Sequence, residues 1–271
     1  MKQDCGNEHM SLAVCAIFRN EAPYLREWIE FHRLVGVEHF YLYQNRSDDD
    51  WQTVLSPFQD EGVVEVIDWP VIPPAQMQAY QHFIDWQKGR PGWVAILDCD
   101  EFLFSPCYAT ISDALVQIPE TWGAVGVNWL CFGASGQDLA TPGLVIERFT
   151  FRRADNFGPH VHIKSLVRMD RIQAAGANPH YFQVRGGTCN EAGEEVNGPF
   201  SSPPSHRLLR INHYHTKSRQ EYLQRIALGK ADGGAQRDLA EFEHYQLKEV
   251  DDRAIWRFLP ALKTRLAAMA S

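Results

Sequence analysis

The run Trp93-Val94-Ala95-Ile96-Leu97, followed at once by Asp98-Cys99-Asp100, limits what this chain can fold into more than any other stretch. Five apolar residues without alternation describe a strand covered on both faces, as in a parallel sheet flanked by helices. In an extended chain Asp98 and Asp100 point to one side and Cys99 to the other. Open α/β sheets bind ligands just beyond the carboxyl ends of such strands. Two carboxylates converging there repel each other unless a cation lies between them. A hard divalent ion fits, and it would bring a phosphate-bearing ligand with it. The plain alternative is a solvated strand-end turn with capping aspartates, because D-x-D is a common tripeptide.

The residues before this stretch alternate between strand and helix. Leu12–Phe18 is another continuous apolar run and predicts the first strand. Asn20 can cap the next helix, Pro23 suits its first turn and Gly36 ends it. Residues 39–43 and 62–67 predict two more strands, and a helix over 75–88 leads into strand 93–97. This order implies a mostly parallel sheet with right-handed crossovers, and residues 12–105 read as a nucleotide-binding half. No G-x-G-x-x-G comes after the first strand and no G-x-x-x-x-G-K-[ST] occurs anywhere, so dinucleotide and P-loop sites lose their usual support.

Residues 106–230 have another texture. Short strands predicted at 124–129, 144–149, 163–168 and 181–185 alternate with long loops such as 131–137 and 186–204. Loops of that length fit the walls of an acceptor site. A further strand near 208–215 runs into a polar turn. Ser218 and Glu221 then form a capping-box pattern, opening a helix that Gly229 closes. Residues 231–271 hold a tail helix from about residue 251, with Ile255, Phe258, Leu259, Leu262 and Leu266 on one stripe. Pro260 kinks or restarts it. No low-complexity linker interrupts the chain, which predicts one domain over residues 1–271.

Acidic residues outnumber basic ones, 34 to 26, and no basic stripe stands out, which argues against a nucleic-acid partner. The six cysteines form no C-x-x-C pair and read as free thiols in a reducing compartment. The polar start, Met1 to Ser11, lacks an apolar signal core, and no run approaches the ~20 apolar residues of a membrane span. A soluble, cytoplasmic protein is the expectation.

Several blocks resemble glycosyltransferase family 92 and its bacterial family 2-like relatives. They begin with Phe18-Arg19-Asn20-Glu21, Glu27-Trp28-Ile29-Glu30-Phe31-His32 and Asn45-Arg46-Ser47-Asp48-Asp49. Asp68-Trp69-Pro70, Gln76, Asp98-Cys99-Asp100-Glu101-Phe102 and Phe132-Gly133-Ala134-Ser135-Gly136 continue the match. Lys164-Ser165-Leu166-Val167-Arg168, Pro179-His180-Tyr181-Phe182 and Ile211-Asn212-His213-Tyr214-His215-Thr216-Lys217-Ser218 complete it, over roughly residues 12 to 230. The resemblance implies a GT-A fold: an α/β architecture with a mostly parallel nucleotide-binding sheet flanked by helices, and an acceptor-binding half. It also implies inverting transfer of a sugar, galactose in characterised relatives, from a UDP-sugar to a glycan or glycoconjugate acceptor. Two positions depart from the family pattern, Gln44 and Gln137.

On that resemblance Asp100 is the main ligand of a manganese or magnesium ion, with Asp98 on the metal or the ribose and His213 completing the set. His215 is a second histidine on the same side if the chain stays extended. Asn20, Glu21, Asn45, Ser47 and Gln76 fall to the donor, and Lys164 and Lys217 to its diphosphate. Helix capping and turn formation remain open for the first four, and plain solvation for the lysines. A general base is needed for the acceptor hydroxyl. Of Asp138, Glu147, Asp155 and His180, the two chosen are Asp155 and His180. Two other functions stay open: a non-catalytic glycan- or nucleotide-binding module on the same fold, and a metal-dependent nucleotidyltransferase or phosphodiesterase.

Overall fold

The computed structural model describes residues 11–229 and 237–269. The polar start, Cys5 and the opening of the 231–271 segment lie outside the described residues. Four strands, β1 (Leu12–Phe18), β2 (His39–Gln44), β3 (Val64–Asp68) and β4 (Trp93–Ile96), pair in parallel in the order β3-β2-β1-β4. The crossovers are α1 (Ala22–Leu34), α2 (Trp51–Asp60) and α3 (Gln76–Gln87).

Period-two alternation divides β1 between two cores. Val14, Ala16 and Phe18 join Trp28, Phe31, Leu55 and Phe58 from α1 and α2, whereas Cys15 and Ile17 join Tyr80, Phe83 and Ile84 from α3. Burying side chains of this size stabilises the fold by about 1.5–3 kcal/mol each. The sheet is therefore covered on both faces, as the unalternating runs require. The sequence reading lacked α2, whose internal Pro57 and polar composition hide its period.

The second half adds β5 (Glu101–Phe104), α4 (Ile111–Leu115), β6 (Ala124–Cys131), α5 (Val145–Arg148), β7 (Phe151–Arg152) and β8 (Ile163–Arg168). β9 (Ile172–Asn178) and β10 (Tyr181–Val184) form a hairpin; β11 (Thr188–Cys189), β12 (Glu195–Val196) and β13 (Arg210–His213) come next. The main sheet runs β12-β11-β6-β8-β4-β1-β2-β3, with β13 joining β6 to β5. β8 is antiparallel to both β4 and β6, which sets its side chains beside the end of β4.

The strand expected at 144–149 is the short helix α5. Its first amides, Val145 and Ile146, donate to the buried Glu27 carboxylate at 2.7 and 3.1 Å. A carboxylate at a helix N-terminus favours helix, and this one comes from α1, so no local pattern reveals it. The capping box at Ser218 and Glu221 opens α6 (Arg219–Leu228) as expected. α7 (Leu239–Tyr245), β14 (Val250–Asp251) and α8 (Leu259–Ala268) end the described chain. Pro260 stands in the first turn of α8 after a 3₁₀ turn, Ala254–Phe258, so it restarts the helix. Among the described residues, the five cysteines form no disulfide and no helix is long and apolar enough to cross a membrane.

Candidate functional site

β4 ends at Ile96, and Asp98-Cys99-Asp100 turns directly into β5. The Asp98 amide donates to the Glu101 carboxylate at 2.9 Å, and the Glu101 amide to the Asp98 carbonyl at 3.1 Å. The two aspartates thus sit in a tight turn and not in an extended chain, and their carboxylates meet different neighbours.

Asp98 faces β8 and α3. Lys164 Nζ lies 2.8 Å from Asp98 Oδ2, and Gln76 Nε2 donates to Oδ1 at 3.0 Å. Lys164 is wholly buried and also stands 3.4 Å from Glu101. Burial works against the Lys164 charge, but Asp98 and Glu101 outweigh it and raise its pKa. Burial likewise opposes ionisation of Asp98, yet Lys164 holds its carboxyl below the usual range. Burial pushes Glu101 well above that range.

Asp100 faces the end of β13 and α6. His213 Nε2 is 3.6 Å from Asp100 Oδ1, and the Arg225 guanidinium is 2.6 Å from Oδ2. Burial opposes the Asp100 charge, but Arg225 and His213 together hold its carboxyl well below the ordinary value. Asp100, His213 and His215 each bring one ligand atom within 4.8 Å of the others. His213 Nδ1 is buried with no hydrogen-bond partner. A carboxylate and two imidazoles, one with an orphaned nitrogen, fit a divalent ion. Of the ligands expected from the sequence, Asp100 and His213 are brought together with His215 beside them, whereas the Asp98 carboxylate lines the same cleft but is paired with Lys164.

Both groups open onto one cleft of about 350 Å³, which Glu21, Asn45, Gln76, Trp129 and His180 also line. Asn45 is fixed there by its amide, which donates to the carbonyls of Trp69 and Val71. Asn20 and Ser47 lie outside the lining. The Asn20 amide N–H donates to Ser47 Oγ and its side chain to Asp48, so the pair ties the loop after β1 to the loop after β2. Neither of the lysines expected at the diphosphate is among the residues that line the cleft. Lys164 is bound to Asp98, and Lys217 is buried 3.8 Å from Glu21 and 4.1 Å from the Tyr24 ring centre.

The two proposed bases part company. His180 lines the cleft and donates Nδ1–H to the Ile163 carbonyl at 2.8 Å, which leaves Nε2 as the ring's acceptor. Burial and then the Lys164 charge push its pKa down to about 3. Asp155 is 87% exposed, pairs with Arg152 at 2.7 Å and borders a separate cavity with His206 and Arg210. It is not brought to the cleft. Arg225 and Arg237, which do line it, escaped the sequence reading. A signal for Arg225 was present: the capping box fixes the start of α6, and Arg225 falls one turn after the inward Glu221.

A profile of glycosyltransferase family 92 matches residues 9–193. A rice (Oryza sativa subsp. japonica) family 92 protein is 31% identical over 182 residues, covering 65% of this chain and 30% of the relative. An Arabidopsis thaliana family 92 protein is 31% identical over 188 residues, covering 65% and 32%. The chain thus spans about a third of the length of these curated relatives. Among solved structures, S. aureus TarS 1-349 in complex with UDP aligns over 59% of this chain and 47% of its own, with 14% identity and a TM-score of 0.38. The profile is that of a glycosyltransferase class and takes in well over half of the sequence. The chain belongs to glycosyltransferase family 92.

Proposed function

We propose that this chain transfers a sugar from a UDP-sugar, galactose being the expected sugar, to a glycan acceptor with inversion at the anomeric carbon. One GT-A unit holds both tasks in this reading, with residues 12–105 as the donor half and 106–230 as the acceptor half. The observation that carries it is the convergence of Asp100, His213 and His215 in a cleft at the carboxyl ends of β1 and β4. Asp100, His213 and His215 would hold a divalent ion, manganese in preference to magnesium because two donors are imidazoles. When bound, that ion supplies Lewis acidity to a departing nucleoside diphosphate.

The chain's own groups do the rest. Glu21 and Asn45, at the ends of β1 and β2, receive the nucleoside. Asp98, pinned by Lys164 and Gln76, presents a fixed carboxylate edge for a ribose or sugar hydroxyl. His180 is neutral at physiological pH, the state in which Nε2 accepts a proton, and its depressed pKa makes it a weak base. Calorimetric titration with UDP, GDP and CDP, each with manganese and with excess chelator, tests the reading. UDP uptake that requires manganese, together with UDP release from a UDP-sugar, is the expected result. Absence of nucleotide binding in both conditions would sink it.

A further inference from the structure

We infer that Arg225 is an internal counter-ion that competes with the metal for Asp100 and so couples metal uptake to nucleotide binding. The inference rests on the metal-site reading of Asp100, His213 and His215. Asp100 is buried, and its carboxylate answers two claims. Arg225 Nη1 lies 2.6 Å from Oδ2, while Oδ1 faces His213 at 3.6 Å. The same Nη1 donates to the His215 carbonyl at 2.7 Å. One guanidinium therefore grips both the carboxylate and the backbone that carries a second ligand.

Charge balance sets the coupling. Arg225 alone balances Asp100, leaving that corner of the cleft neutral. A divalent ion entering among Asp100, His213 and His215 would set two more positive charges beside the guanidinium, with one carboxylate between them. The rest of the lining adds no net negative charge, because its Glu21 and Glu241 are matched by Arg19 and Arg237. Arg19 and Arg237 also line the cleft, and each keeps a buried Nε without a hydrogen-bond partner. Lys164 does not enter this balance, because Asp98 and Glu101 already neutralise it.

The negative charge must therefore arrive with the ligand. A nucleoside diphosphate brings at least two charges and accepts hydrogen bonds from a planar guanidinium in a geometry that suits it. Arg225 releases Asp100 to the ion and turns to the diphosphate, so that each ligand favours the other. An arginine that merely orients Asp100 as an outer partner of the metal predicts the opposite sign, since its loss would weaken metal binding.

Calorimetry on the wild type, Arg225→Gln and Arg225→Lys separates the two, with manganese alone, with UDP alone and with manganese at saturating UDP. Arg225→Gln should bind manganese alone about tenfold tighter and UDP in saturating manganese about tenfold weaker. The factor by which UDP tightens manganese, expected within the usual range of about 5 to 150, should fall toward one. Arg225→Lys, which keeps the charge, should retain most of it. Arg225→Met carries the same readout if the glutamine variant does not fold. Weaker binding of manganese alone in Arg225→Gln, or an unchanged coupling factor, overturns the inference. A wild type that takes up neither manganese nor UDP overturns the functional reading beneath it.

Discussion

Asp98 and Asp100 stand two residues apart in one turn and meet opposite surroundings. Asp98 is held by a lysine wholly inside the protein, and Lys164 shares that charge with Glu101. Asp100 is held by an arginine from a helix at the cleft wall, beside two imidazoles that complete a candidate ligand set. The first arrangement is closed: its charges balance, and Lys164 from β8 and Gln76 from α3 both bond the carboxylate. The second is open, because its counter-ion has another use once a ligand arrives. Of the two carboxylates in the D-x-D, then, one is held by a buried lysine and the other by an arginine at the cleft wall.

The sharpest way to break this comparison is to neutralise each aspartate in turn. Asp100→Asn should lower sugar transfer about 1,000-fold or more, roughly 4 kcal/mol of barrier, and abolish manganese uptake in calorimetry. Asp98→Asn should leave manganese affinity within about tenfold of wild type. Metal loss in Asp98→Asn with retention in Asp100→Asn would reverse the assignment. Lys164→Met probes the closed side. It leaves Asp98 and Glu101 crowded without their cation, and breaking a buried pair in this way destabilises by about 3–5 kcal/mol. Urea unfolding reads that loss, and an unchanged midpoint would mean that Lys164 is not the keystone of this corner.

On the open side, His213→Ala and His215→Ala should each weaken manganese by at least about tenfold, near 1.4 kcal/mol, with the fold retained. If His213→Ala alone matters, the ligand set shrinks to two protein groups and His215 becomes a neighbour that serves Glu241, to which it lies 3.1 Å away.

Neither side was fully legible in the sequence. β1 and β4 could be read because continuous apolar runs admit few structures, and α6 because its capping box is local. The pairing of Asp98 with Lys164 depends on β8 lying antiparallel beside β4, a register set by chain 66 residues away. The choice of His215 depends on how the chain turns after β13, where Lys217 has a positive φ of 51° that no residue type announces. Asn20 teaches the same lesson on a smaller scale. It was expected to cap α1, but Glu21 holds that position, and Asn20 adopts φ 56° and reaches across to Asp48. Asp155 misled because loop position says nothing about which cavity a loop borders.

The two sides should also answer pH with opposite signs, and this is the smallest effect expected. Burial pushes His215 down to about 4, from an unfolded value near 6.5. Below about 6.5 the unfolded chain therefore binds a proton that the folded protein refuses, and stability falls until the pH reaches about 4. At pH 5 that amounts to about 2 kcal/mol at most, since 1.5 units separate that pH from the unfolded value and each unit is worth about 1.4 kcal/mol. Glu101, raised by burial, behaves in reverse. Its folded form keeps a proton that the unfolded chain gives up above about pH 4.5, so its contribution is complete in acid and fades as the pH rises. Urea midpoints at pH 5 and pH 8 should therefore move apart in the two variants. His215→Asn should lose less stability on acidification than the wild type, and Glu101→Gln less on alkalinisation. If His215→Asn keeps the wild-type acid slope, the open side is not buried as tightly as its neighbours imply, and one of the contrasts between the two aspartates disappears.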